Sequence, residues 1–143
     1  MKSLTPIVVW IPMLDADELP LADKASARFG DLDVSQFWDG AKKLGNEVGH
    51  SVGADGWTAW DVYLFYAPGA EWTAAGLPAP AAALAQAGGV VVGTPGTLPP
   101  AGDQSRVPRR MRGHADAVGE QPDLESLLSR VAEGFAKRYA ATP

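Results

Sequence analysis

The chain has 143 residues, of which 46% are hydrophobic and 20% charged, the size and balance of one globular domain. It contains no cysteine, which excludes dithiol redox chemistry, thiol nucleophiles, disulfides and thiolate metal sites. The net charge of -5 argues against nucleic acid as a partner, because phosphate contacts need a basic surface.

The N-terminal Met1-Lys-Ser-Leu-Thr-Pro6 lacks the apolar run and cleavage pattern of a signal peptide. No stretch reaches the length of a membrane span, so the expectation is a soluble, cytoplasmic protein with no membrane partner. Pro6-Ile-Val-Val-Trp-Ile11 is β-branched and aromatic and predicts a first strand. Asp15, with Glu18 three residues on, has the spacing of a helix cap, and Asp17 is the alternative. Leu21, Ala22, Ala25 and Phe29 then share one face of a helix that ends at Gly30.

Leu32 to Trp38 alternates apolar and polar, as a half-exposed strand does. Asp39 caps a second helix whose face (Ala41, Leu44, Val48, Val52) is broken by Gly45 and Gly49, predicting a short or bent element. The run Val62-Tyr-Leu-Phe-Tyr66 is apolar and aromatic throughout and reads as the central strand of one mixed sheet. Pro68-Gly69 supplies a turn after it, and Ala70-Glu-Trp72 its short return.

Beyond Trp72 the composition shifts to Ala, Gly and Pro. Pro80-Ala-Ala-Ala-Leu-Ala-Gln86 predicts two helical turns stopped by Gly88-Gly89, Val90-Val-Val92 a buried strand, and 115–119 a last short strand. Asp123 is the expected cap of the clearest helix, with Leu124, Leu127, Leu128, Val131, Phe135 and Tyr139 at helical spacing.

The order strand, helix, strand, helix, hairpin and terminal helix resembles the thioredoxin-like fold over 5–72 and 123–140. Val8-Val9-Trp10 is similar to that family's first strand, and Leu64-Phe-Tyr-Ala-Pro-Gly-Ala-Glu71 to its hydrophobic strand, glycine turn and acidic return. Where the family carries Cys-x-x-Cys, this chain has Ile11-Pro-Met-Leu-Asp15, and where it places a cis-proline, Ala59-Trp60. The resemblance implies an α/β scaffold, a mixed central sheet with flanking helices, in a single domain over 1–143 with an extension at 73–121. The family's redox activity does not carry over without the cysteines.

If strands one and two are parallel neighbours, their carboxyl ends form the crevice where open α/β sheets bind ligands. Trp10, Met13, Asp15, Trp38, Asp39 and Trp60 would then line an aromatic mouth suited to a small apolar or cationic ligand. The competing account makes the tryptophans core and Asp15 and Asp39 helix caps. Asp15, Asp17 and Asp39 could hold a hard divalent cation through oxygen ligands, but their spacing matches no calcium loop, and neither a metal nor a cofactor is expected. Arg106, Arg109, Arg110 and Arg112 form a basic loop that could hold a phosphate or carboxylate, or pair with acidic groups of the same molecule.

These features favour a binding or protein-interaction module that acts through an aromatic surface near Trp38 and Trp60, with a protein partner, a small-molecule ligand or self-association as a homodimer. The rival is a small enzyme using Asp15, Asp39 or His50 as acid or base.

Overall fold

The computed structural model describes residues 4–140 and shows an α/β protein with two sheets. Strands β1 (Ile7–Trp10) and β2 (Ser35–Trp38) form a two-stranded parallel pair. Between them runs helix α1 (Leu19–Ser26), which tightens into a 3-10 turn over Ala27–Phe29. Pro20 sits in the first turn of α1, where its missing N–H is no loss. The residue at the cap position is Glu18, which makes no side-chain cap, so neither Asp15 nor Asp17 caps this helix.

Helix α2 (Lys43–Ser51) follows β2, and the carboxylate of Asp39 accepts the amides of Lys43 at 2.9 Å and Gly45 at 3.0 Å. The two glycines expected to weaken α2 are its packing face. A Cβ on Gly45 would stand 2.5 Å from Ile11 Cδ1, and the Gly45 carbonyl accepts the amide of Ala59 at 2.8 Å. Glycine lets the incoming 57–59 segment lie directly on the helix backbone.

The larger sheet is antiparallel in the order β3-β4-β5-β6: β3 (Val62–Phe65), β4 (Ala82–Ala87), β5 (Val90–Gly93) and β6 (Asp116–Glu120). It corrects three expectations. A single mixed sheet does not form, since the parallel pair and the antiparallel sheet are separate. Val62–Phe65 is an edge strand with every residue half-buried, and the centre belongs to β4 and β5. The alanine-rich run is a strand, because Gly88 (φ 59) and Gly89 (φ 80) make a two-residue hairpin pairing Ala87 with Val90. The stretch 73–121, an extension by the family resemblance, thus supplies three of the four strands.

Both faces of this sheet are covered, which is why Val90, Val91 and Val92 run apolar without alternation and are fully buried. Val90 and Val92 face Ala54, Val107, Met111 and Ala115, a layer built from the irregular segments on either side of the strands. Val91 and Leu84 face α3 (Leu124–Tyr139) through Leu127 and Val131. Towards the end of α3, Phe135 packs between Phe65 and Tyr139, with ring centroids at 5.4 and 4.7 Å. The amphipathic C-terminal helix is therefore laid on the sheet as its spacing predicts.

Candidate functional site

The carboxyl ends of β1 and β2 lie side by side, with Trp10 paired to Trp38 in register and the Asp39 amide donating to the Trp10 carbonyl at 2.8 Å. The loops that leave these ends are 11–18 and 39–42. Their local structure shows which side chains are already engaged. Trp10 Nε1 donates to Gln36 Oε1 at 3.1 Å, while Gln36 Nε2 donates to the Ser26 carbonyl at 3.2 Å. The Trp10 ring meets Phe29 edge-on at 6.2 Å. Trp10 thus ties the strands to α1.

Trp38 lies against Gly40, where a Cβ would come within 2.6 Å of the indole nitrogen. Asp39 holds the start of α2 with both oxygens, as described above. Asp15 is exposed and makes no hydrogen bond among the described residues. Met13 is half-buried, and its amide together with that of Leu14 donates to Asp17 Oδ2, at 2.8 and 2.7 Å. These two amides, with the nearby Lys42 charge, hold the Asp17 carboxyl below its ordinary range. Lys42 has a left-handed backbone (φ 57), uncommon for a side-chain-bearing residue.

Trp60 comes from elsewhere. It belongs to the segment before β3, where Thr58 Oγ1 donates to Asn46 Oδ1 at 2.6 Å and Ala59 joins Gly45, and it is 44% exposed. Of the six crevice residues named from sequence, Trp10, Trp38 and Asp39 are brought together by the strand register. The bonds from the Met13 and Leu14 amides to Asp17 were not legible, because a carboxylate reaching back to amides three and four residues earlier has the same sequence appearance as a helix cap.

His50 and Asp55 form an exposed pair, Nδ1 to Oδ1 at 2.5 Å. The hydrogen bond to Asp55, its charge and that of Glu47 raise the His50 pKa above the usual value for imidazole. His50 stands near the last turn of α2 and Asp39 before its first. Seven residues of helix separate His50 from Lys43, roughly 10 Å at 1.5 Å per residue, so Asp39 and His50 do not share a reacting centre.

The arginine loop divides into two kinds of residue. Arg106 Nη1 donates to both oxygens of Glu120 at 2.9 Å, and its Nη2 to the carbonyls of Gly88 and Gly89 at 3.4 and 3.1 Å. Arg112 donates to the carbonyls of Val107 and Ser105, each at 3.2 Å. Both are structural braces. Arg109 and Arg110 are exposed, with no hydrogen bond among the described residues.

A cavity of about 20 Å³ lies beside β5, lined by Val52, Trp57, Val62, Val92 and Met111 with His114 at its side. That is room for about one water in apolar surroundings, and no ligand pocket. Among the described residues, no cluster of His, Asp and Glu could hold a metal ion, and no helix is long and apolar enough to cross a membrane.

The outstanding surface feature is apolar. Of eight large hydrophobic side chains exposed among the described residues, six (Ile7, Leu14, Leu19, Leu21, Leu32 and Phe37) lie in the β1–α1–β2 unit. Only Ala22 is buried within that unit's elements. Between residues 14 and 39 the chain carries seven carboxylates against Lys24 and Arg28 alone. No protein-family model, no curated protein and no solved structure matches this chain.

Proposed function

We propose that this protein is a non-redox interaction module that binds another protein through the loop after β1 and the first turn of α1. The observation that carries this is the exposure of Leu14 (67%), Leu19 (47%) and Leu21 (54%) within eight residues of chain. Exposed large apolar side chains clustered in one segment mark interfaces, and anchors of this kind dominate binding energy. Asp15, Glu18 and Asp23 are their exposed neighbours in sequence, so the complementary surface is an apolar patch rimmed by Lys and Arg.

A thioredoxin-like scaffold is supported by the parallel β1–α1–β2 order and by the terminal helix packed on a sheet. The separation of the two sheets stands against it. The interaction reading needs only the surface.

The test places a photo-crosslinking residue at position 14 or 21, with position 133 on exposed α3 as control. The adduct formed in the native host is identified, and that partner is purified and titrated. The expected outcome is one defined partner captured at 14 and 21, whose affinity falls at least tenfold with Leu21→Glu and weakens with salt. Equal capture at 133, or a purified partner indifferent to Leu21→Glu, overturns the proposal.

A further inference from the structure

Strand β1 has one paired side and one open side. The Pro6 and Trp10 carbonyls accept the amides of Ser35 and Asp39, so the even-numbered residues face β2. Alternation turns the N–H and C=O of Ile7 and Val9 outward, and among the described residues β1 pairs with no strand but β2. Open edges are usually guarded by charge, an interior proline, a bulge or a covering element. From Thr5 to Leu14 there is no charged residue, Pro6 precedes the strand, and the β1–β2 register is unbroken. The β2 edge differs, being flanked by Asp31, Asp33 and Asp39, whose like charges would turn a second copy away.

The surface area points the same way. The chain exposes 9279 Å², whereas a compact monomer of 15.0 kDa exposes about 7,000 Å². Three residues at each end contribute at most about 900 Å² on the extended-chain scaling, leaving an excess of roughly 1,300 Å². A standard interface takes about 800 Å² from each partner. A two-stranded pair alone is also marginal, and three or more strands are the usual requirement.

We infer that β1 pairs antiparallel with β1 of a second copy about a two-fold axis, making a four-stranded sheet in the order β2-β1-β1-β2. The register that joins Ile7 to Val9 of the second copy satisfies the outward amides and carbonyls of both. Ile7, 61% exposed in one chain, becomes part of a continuous apolar strip. This inference rests on the interaction reading in taking the β1–α1–β2 unit as the associating part, but it uses a different surface, away from Leu14 and Leu21.

Sedimentation equilibrium of the full chain, from low to high micromolar concentration, tests it. The mass is expected to double with concentration. Ile7→Lys puts a charge on the open edge at a position already exposed, and is expected to restore the single-chain mass with an unchanged far-UV spectrum, while Ile7→Val keeps the dimer. If Ile7→Lys lowers the melting temperature, amide exchange at wild-type Ile7 and Val9 reads the same pairing, slowing as concentration rises. A single-chain mass at every concentration, or a dimer indifferent to Ile7→Lys, overturns the inference. A single chain that still binds a partner through Leu21 would sink the two-fold pairing alone. A dimer abolished by Ile7→Lys in a protein that captures nothing at position 21 would sink the partner proposal alone.

Discussion

Gly49 lies so close to Trp57 that a Cβ added to it would stand 2.0 Å from the Trp57 carbonyl oxygen. Backbone meets backbone there, with no flexible side chain to yield. Gly49→Ala should therefore cost about 3 kcal/mol, the upper part of the range for overpacking. At Gly45 the nearest atom is the end of the Ile11 side chain, so Gly45→Ala should cost nearer 1 kcal/mol, partly offset by alanine's better helix propensity. Urea unfolding of both variants checks the order. Equal losses would mean that α2 moves as a whole.

Arg106 joins two places remote in sequence: Glu120 on β6 and the Gly88 and Gly89 carbonyls at the tip of the β4–β5 hairpin. The side chains of the ion pair are 38% and 53% exposed, so solvent screening limits the charge contribution. Arg106→Ala should lose about 1 kcal/mol, mostly from the carbonyl contacts, and Glu120→Gln less than half of that. A double-mutant cycle read by chemical denaturation measures the coupling. A coupling as large as the whole Arg106→Ala loss would show that the charge pair dominates.

The His50–Asp55 pair gives a signed pH dependence. Asp55 raises the folded-state pKa of His50 above the ordinary 6.5. Its stabilisation is then fully present below 6.5 and is lost as pH rises through the raised folded value. An NMR titration of His50 should show a midpoint above 6.5 that falls back in Asp55→Asn and in high salt. A midpoint unmoved by Asp55→Asn would mean that the pair does not persist in solution.

Asp17 works in the opposite direction. The Met13 and Leu14 amides lower its pKa from the ordinary 3.8, so its contribution is present above that value and lost as pH falls through the depressed one. Asp17→Ala should be less stable than wild type at neutral pH, and the two should converge in acid below pH 3.8. Denaturation midpoints across that range read the convergence. A gap that persists in strong acid would assign the loss to packing instead.

Sequence pattern disclosed the elements whose burial is uniform. Val90–Gly93 has no polar residue to confuse it, and α3 has a long single-sided apolar stripe. The parallel β1–β2 pair also followed from its order around a helix. Ala82–Ala87 did not, because alanine's helix preference is worth only tenths of a kcal/mol per residue and pairing on both sides overrides it. The glycines of α2 predicted a short helix, which Lys43–Ser51 is, but not that a helix interior penalised by propensity would be a close-packed contact. At the crevice the residue types were readable, but their commitments were not. Whether Asp39 holds a ligand or Lys43 and Gly45, and whether Arg106 faces solvent or Glu120, depends on contacts the local sequence does not encode.

The two-residue turn at Gly88 and Gly89 has a kinetic consequence. It lets β4 and β5 meet with almost no loop to close, an event of microseconds in isolated hairpins. β3 and β6 then add to this hairpin from either side across the longer connections 66–81 and 94–115, and α3 follows β6 after a 3-10 turn over Gln121–Asp123. The parallel pair has no such short cut, since its strands meet only after α1 is in place. Assembly should thus begin in the middle of the chain, with the N-terminal unit the last to join and the first to open. A slow phase sensitive to substitutions in β1 and α1, but not at Gly88, would be its signature in refolding.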